Sequence, residues 1–202
     1  GIMRDKLYVG PKNISLYVGD LCNYRCQFCL IHSGIYNNGS KKAMMPFSLV
    51  KRVVDESISL SVEKIVILGR GEPFLHPKIY DMISYIKDKG MLVTILTNGS
   101  FGRDNIEVLS RVDSFIINMS AATAKTYEML QCNRPGSFKK VMGNLKLLSK
   151  IKKLKRRPKV EIKYVVCAQN IAEIKDLVSI CKDFDIDRIT FTPMFAVPGM
   201  ED

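Results

Sequence analysis

Three cysteines within a short segment are the residues of this chain best suited to metal chemistry. Cys22, Cys26 and Cys29 have the spacing C-x3-C-x2-C and follow an apolar run that is typical of a β-strand. Thiolates are the usual ligands of iron–sulfur clusters, which normally take four protein ligands. Three thiolates leave one coordination position open, and a metal centre needs an open position to bind a substrate directly. The spacing therefore predicts a metal site with an open position.

Two alternatives remain open for these cysteines. A zinc site could combine them with His32, because structural zinc accepts three thiolates and one imidazole. Structural zinc sites usually present their ligands as two pairs, however, and no second pair is visible. The spacing also fits three buried cysteines on one helical face, but the intervening Asn23, Tyr24, Arg25 and Gln27 would make a poor buried surface.

A glycine-rich turn follows the second predicted strand and is the next candidate. Its residues are Gly69, Gly71, Glu72 and Pro73 in the order G-R-G-E-P. Glycine lets a backbone approach a ligand closely, and ligands of α/β folds bind at the C-terminal ends of the strands. A carboxylate at that edge suits an ammonium group. The alternative is an ordinary Gly/Pro turn with a surface glutamate.

Polar residues also end the later strands. Thr97-Asn98-Gly99 ends the third strand, and Asn118 and Ser120 end the fourth. On the sixth strand, Thr190 and Thr192, with Met194 just beyond it, are candidates for lining the ligand or substrate side of the same edge. Each is equally typical of an ordinary residue at a strand end.

The elements that must position these residues alternate short apolar runs with longer amphipathic ones. Strands are predicted at 15–19, 64–68, 92–96, 114–119, 160–167 and 188–192. Helices are predicted to begin at Phe47 and after His76-Pro77, and to cover 106–109, 124–155 with a break near Pro135-Gly136, and 171–184. Such apolar strands are expected in a parallel sheet covered by helices. Six βα steps fall short of a closed eight-stranded barrel, so the predicted fold is α/β, a partial (β/α)6 TIM-like barrel with a curved parallel sheet.

Length and composition indicate one globular domain. The chain has 202 residues, of which 47% are hydrophobic, enough for one core. No run approaches the roughly 20 apolar residues of a membrane helix, and no signal peptide is apparent, so a cytoplasmic protein without a membrane contact is expected. The remaining cysteines, Cys132, Cys167 and Cys181, are scattered, which argues against a secreted disulfide scaffold. A glycine precedes Met3 and the sequence stops abruptly, so residues 1–202 are expected to be a fragment of a longer protein.

Together the motifs resemble the signature of the radical S-adenosylmethionine (SAM) superfamily. In that family, cysteines placed like these ligate three irons of a [4Fe–4S] cluster, and the amino and carboxylate groups of SAM chelate the fourth. The resemblance implies that Phe28 lies against the adenine and that the G-R-G-E-P turn, with Glu72, holds the methionine amino group. It further implies that Asn98 and Ser120 face the SAM pocket.

The stretches 120–127 and 137–141 resemble the subgroup that often carries a C-terminal SPASM or twitch domain. There, an arginine shortly after the tyrosine commonly binds the SAM carboxylate. Counting from Tyr127, this chain has Gln131 at that place, and Arg134 is the nearby substitute. No C-x2-C pair follows the sixth strand, so the auxiliary domain is expected to be absent from residues 1–202.

The resemblance implies an enzyme that cleaves SAM reductively to a 5′-deoxyadenosyl radical, which abstracts hydrogen from an unidentified peptide, protein or small metabolite. It also implies an external one-electron reductant of the flavodoxin or ferredoxin type. Two other hypotheses remain open: a non-catalytic iron–sulfur or zinc domain that binds a partner, and a radical SAM enzyme that modifies RNA.

The RNA hypothesis depends on a basic tract. Residues 139–159 contain ten lysines and arginines and no acid, in a chain of net charge +11. Such a tract is an electrostatic footprint for nucleic acid or an acidic partner. It is also typical of the solvated face of an amphipathic helix, whose inward residues would be Leu145, Leu147, Leu148, Ile151 and Leu154.

Overall fold

A six-stranded parallel sheet is the centre of the computed structural model, which describes residues 2–3, 6–7, 10–33, 43–132 and 134–194. The strands are β3 (Asn13–Tyr17), β4 (Lys64–Leu68), β5 (Leu92–Thr97), β6 (Ser114–Asn118), β7 (Lys159–Val166) and β8 (Arg188–Pro193). All six predicted strands are present, with ends shifted by at most two residues. A short antiparallel pair, β1 (Ile2–Met3) and β2 (Lys6–Leu7), was not predicted.

The strand order distinguishes a barrel from a doubly wound sheet. The order is β3-β4-β5-β6-β7-β8, with every neighbouring pair parallel. A doubly wound sheet reverses direction at a switch point and has helices on both faces. Right-handed crossovers that always advance in one direction place the helices on one face only. The α/β partial barrel predicted from the sequence is therefore confirmed, and within the described ranges one face of its sheet carries no helix.

The helices largely follow the predicted pattern. They are α1 (Phe47–Ser59), α2 (Ile79–Asp88), α3 (Ile106–Leu109), α4 (Ala124–Tyr127), α5 (Ser137–Lys155) and α6 (Ile174–Asp183). Short 3₁₀-helices cover Pro73–Leu75 and Ile171–Glu173, and a π-helix covers Glu128–Cys132. The predicted break near Pro135-Gly136 is confirmed, since Gly136 has a φ of +83° just before α5. Within the described residues, no helix is both long and apolar enough to span a membrane.

Alternating side chains of each strand build the core beneath the helices. On β4, Ile65 and Ile67 are fully buried, whereas Lys64, Val66 and Leu68 are only partly buried. The buried set packs against apolar residues of α1, α2, α5 and α6. The intervening residues therefore face the side of the sheet that has no helices.

One inward prediction on α5 is wrong. Leu145, Leu148 and Ile151 are buried, but Leu154 is 85% exposed. From Leu145, three successive steps of three residues rotate the side chain by about 180° around the helix. This rotation carries Leu154 off the buried face.

Candidate cofactor site at the C-terminal edge of the sheet

The cysteine loop leaves the C-terminal end of β3, at the same edge as the ends of β4 and β5. Cys22, Cys26 and Cys29 are each partly buried. The backbone amide of Tyr24 donates to Cys22 Sγ over 3.4 Å, and that of His32 donates to Cys29 Sγ over 3.3 Å. These two hydrogen bonds help to hold the sulfurs of Cys22 and Cys29 in place within the loop.

The arrangement of these side chains bears on the zinc alternative. His32 Nε2 lies 3.0 Å from the carbonyl oxygen of Arg70. Among the residues that the structure describes, no three His, Cys, Asp or Glu side chains converge as ligands of a single metal ion. A zinc site needs such convergence. His32 therefore does not join the three cysteines around a single ion in the described part of the chain.

Gly71 allows the glycine-rich turn to lie directly against the cysteine loop. A Cβ at this position would stand 1.9 Å from the carbonyl oxygen of Leu21. The amide of Glu72 donates to that same oxygen over 2.7 Å, and the amide of Gly71 donates to Gly19 O over 3.2 Å. At Gly69, a Cβ would stand 2.6 Å from Gly19 O. In this structure the glycines therefore serve the approach of one backbone to another.

Glu72 joins the turn after β4 to the end of β5. Its side chain is buried, and its Oε1 accepts from Thr97 Oγ1 at 2.7 Å and from the amide of Phe74 at 3.1 Å. Its Oε2 accepts from the amide of Asn98 at 2.7 Å. Burial raises the pKa of the Glu72 carboxyl, and the hydrogen bonds oppose that rise. The predicted contact of Glu72 with an ammonium group stays a prediction, as does any ligand contact of the buried Pro73, which begins the 3₁₀-helix.

Asn98 completes the connection between these loops. Its Nδ2 donates to Asn23 Oδ1 over 2.9 Å, and its Oδ1 accepts from the amide of Ser100 at 2.9 Å. Asn23 in turn donates to Ser100 Oγ over 2.8 Å. The loops after β3, β4 and β5 are therefore one hydrogen-bonded unit.

The end of β6 is held by Gln131, the residue that stands where an arginine was expected. Gln131 is fully buried; its Oε1 accepts from the amide of Ser120, and its Nε2 donates to Asn118 O over 3.1 Å. Ser120 is also fully buried, and its Oγ accepts from the amide of Val165 at 2.9 Å. Both side chains therefore hold the backbone here, and a SAM contact of Ser120 stays a prediction.

Arg134 and Phe28 are more accessible. Arg134 is exposed and lines a pocket of about 550 Å³ beside the cysteine loop, together with Arg25, Gln27 and Glu128. Phe28 is partly buried on that loop, directly before Cys29. Between Gln131 and Arg134, only Arg134 has an exposed side chain that can reach a carboxylate.

Glu173 is a structural residue of this edge that sequence reasoning missed. Its carboxylate accepts from the amide of Ala122 at 2.7 Å, from Thr123 Oγ1 at 2.8 Å and from the Thr126 hydroxyl. Burial alone would raise the pKa of Glu173, but these hydrogen bonds outweigh it and lower the pKa. The partners lie about fifty positions apart, so no local pattern could have indicated the contact.

Comparison with known proteins identifies the family. The sequence model of the Radical SAM superfamily matches residues 16–179. GTP 3′,8-cyclase of Clostridium perfringens is 28% identical over 92% of this chain and 56% of its own length. The S-adenosylmethionine-dependent nucleotide dehydratase of Selenomonas ruminantium is 25% identical over 87% of this chain and 63% of its own. The chain thus spans little more than half the length of these relatives.

Solved structures share the fold. Streptococcus suis SuiB bound to S-adenosylmethionine superposes with a TM-score of 0.78 at 21% identity, over 95% of this chain and 42% of that one. The anSMEcpe structure with bound AdoMet gives 0.71 at 17% identity, over 91% of this chain and 51% of that one. Since the family model covers most of the chain, this protein belongs to the radical SAM superfamily of enzymes, which use a [4Fe–4S] cluster and SAM.

Proposed function

We propose that this chain is a radical-generating core in which Cys22, Cys26 and Cys29 hold a [4Fe–4S] cluster. The observation that carries the proposal is the cysteine loop itself, with three partly buried thiols and backbone amides donating to two of the sulfurs. When bound, the cluster would supply one electron to the sulfonium of SAM, the bond from sulfur to C5′ would break to give methionine and a 5′-deoxyadenosyl radical, and that radical would abstract a hydrogen atom from the substrate. Three ligands from one short loop leave an iron open to SAM.

The chain's own residues bind and orient SAM in this proposal. Phe28, next to a ligand cysteine, packs against the adenine, and Arg134 pairs with the carboxylate. The turn from Gly69 to Pro73 presents its backbone to the amino group. Asn98 and Ser120 shape the far wall. Because Glu72 fixes both the turn and the end of β5, it keeps these contacts in one geometry.

We favour a small metabolite as the substrate. The relatives named for GTP and for nucleotides align with 84% or more of this chain. A peptide substrate has weaker support, from the fold shared with SuiB bound to its precursor peptide SuiA at 22% identity. We further propose that residues 1–202 form a single core domain, that it works in the cytoplasm, and that a flavodoxin or ferredoxin type of protein reduces it.

The basic tract gives the RNA hypothesis little support. Lys152 pairs with Asp185 and Asp187 at 3.2 and 2.9 Å, and Arg157 lies 3.6 Å from Asp113. Part of the positive charge is therefore used within the fold. We do not propose RNA as the substrate.

Anaerobic reconstitution with iron and sulfide tests the proposal. We expect the wild-type chain to bind a [4Fe–4S] cluster whose EPR signal changes on adding SAM, and to form 5′-deoxyadenosine with dithionite. Cys26→Ala should lose both signals, whereas Cys167→Ala, a partly buried cysteine outside the loop, should keep them. Equal behaviour of the two variants would show that the cluster assignment is wrong. Uptake of one zinc ion without iron would favour the non-catalytic alternative.

A further inference from the structure

The face of the sheet without helices carries a set of charged side chains that the SAM site does not use. On β7, Val160, Ile162 and Tyr164 are buried in the core beneath the helices. Side chains alternate along a strand, so Glu161 and Lys163 lie on the opposite face. This free face is the inside of the partial barrel, and its upper end adjoins the edge that bears the cysteine loop.

The strand register places polar residues side by side on this face. Asn118 of β6 pairs with Lys163 of β7, and Lys163 pairs with Thr190 of β8. In the next row down, Glu161 pairs with Arg188. Asn118 is the last residue of its strand, so the upper row lies at the C-terminal edge, close to the proposed radical source.

In the lower row, the Glu161 carboxylate is paired with Arg188 and Thr190. Glu161 is 9% exposed; its Oε2 accepts from Arg188 Nε at 2.9 Å and its Oε1 accepts from Thr190 Oγ1 at 2.7 Å. The Thr190 hydroxyl proton is therefore committed to Glu161. With that acid paired, it does not compensate the charge of Lys163.

Lys163 is left as an exposed ammonium group inside the barrel. Among the described residues, no carboxylate lies within ion-pair distance of its Nζ, and the side-chain amide of Asn118 has no hydrogen-bond partner. The strands' other charged residues on this face are Lys64, Lys159 and the Glu161–Arg188 pair, so the net charge of the face is positive. A free ammonium group beside a free amide donor suits an oxyanion.

We propose that Lys163 and Asn118 bind a phosphate group of the substrate and thereby orient it towards the cofactor edge. This inference rests on the proposed function and deepens it, since it selects small metabolites that carry phosphate. Lysine is a common point-charge ligand of phosphate, and phosphate offers more acceptor oxygens to the two donors than a carboxylate does.

Binding of a fluorescent GTP analogue to the reconstituted protein with SAM tests this site. Fluorescence anisotropy gives its Kd, and competition by GTP, guanosine, tripolyphosphate and citrate identifies the group that is recognised. We expect GTP and tripolyphosphate to compete and guanosine and citrate to compete at least tenfold less well. If citrate competed and tripolyphosphate did not, the recognised group would be a carboxylate and the proposal would be overturned.

Three variants separate a specific contact from general charge. Lys163→Met should raise the Kd by roughly 10- to 100-fold, the range for losing a hydrogen bond to a charged group, and Lys163→Arg should restore most of the binding. Lys159→Met removes the same charge from the same face and strand, about 13 Å along β7 from Lys163, and should change the Kd less than twofold. Equal effects of the two Met variants would overturn the proposal.

The proposed function has a separate readout. A wild-type protein that forms 5′-deoxyadenosine but binds no phosphate probe would overturn the anion site and leave the radical chemistry standing. A protein that binds the probe through Lys163 but never cleaves SAM would overturn the radical chemistry and leave the anion site standing.

Discussion

Gly71→Ala is the substitution for which the structure predicts the sharpest effect. The new Cβ would lie 1.9 Å from Leu21 O, and the two backbones must separate by about 1.1 Å to reach 3.0 Å, a limit that real contacts rarely cross. Along that line, the hydrogen bond from Glu72 N to Leu21 O would lengthen from 2.7 Å to about 3.8 Å, beyond a real bond. Overpacking and one unmade buried hydrogen bond together cost about 2 to 4 kcal/mol.

Urea denaturation of the apoprotein and iron content after reconstitution measure this effect. We expect Gly71→Ala to lower the free energy of unfolding by that amount and to reduce iron uptake, because the cysteine loop is displaced. Gly19→Ala is the matched control: its Cβ would meet nothing closer than Ala43 O at 3.7 Å. We expect this control to stay within about 0.5 kcal/mol of the wild type. Equal free energies of unfolding and equal iron contents in the two variants would show that the two loops do not approach each other so closely.

Three further predictions concern single side chains. The pKa of Glu173 is lower in the folded protein than its ordinary value of 4.5. Its ionised form therefore stabilises the fold fully above pH 4.5, and this contribution is lost as the pH falls through the pKa of the folded state. Urea denaturation should show Glu173→Gln less stable by about 1 kcal/mol at pH 7, and a difference that persists unchanged at pH 3 would contradict this. Gln131→Glu loses a buried donor and should lower the free energy of unfolding by about 2 to 4 kcal/mol in the same assay, whereas Gln169→Glu at an exposed position should leave it unchanged. Equal losses of stability in the two variants would show that Gln131 does not hold the end of β6. Arg134→Ala should raise the Kd for SAM about tenfold by calorimetry, with Arg156→Ala unchanged, and an unaltered Kd for Arg134→Ala would remove that arginine from the site.

Local pattern was enough to predict the elements of this fold. The strand 64–68 and the helix 106–109 were predicted with the ends that the structure shows, because apolar runs bounded by glycine, charged or polar residues are strong local signals. The pair β1 and β2 was missed because each strand has only two residues. The π-helix Glu128–Cys132 was missed because its residues read as ordinary helix.

The candidate site was predictable only in part. The cysteines and the G-R-G-E-P turn are contiguous motifs, so the sequence displays them directly. The partners that hold them are not contiguous: Asn23 meets Asn98 across 75 positions, and Glu72 meets Asn98 across 26. Such contacts exist only once the strands are aligned. The position of Lys163 was not predictable for the same reason, since its neighbours Asn118 and Thr190 come from other strands.

The hydrogen bonds among Leu21, Asn23, Glu72 and Asn98 form a closed circuit through three loops. Opening any one loop breaks the circuit, so the three should open cooperatively, and the amides of Glu72, Asn98 and Ser100 should exchange their hydrogens at a common rate. The circuit uses protein atoms alone, so none of its hydrogen bonds needs a cofactor atom. We therefore expect this edge of the barrel to stay folded when the cluster is lost and reloaded.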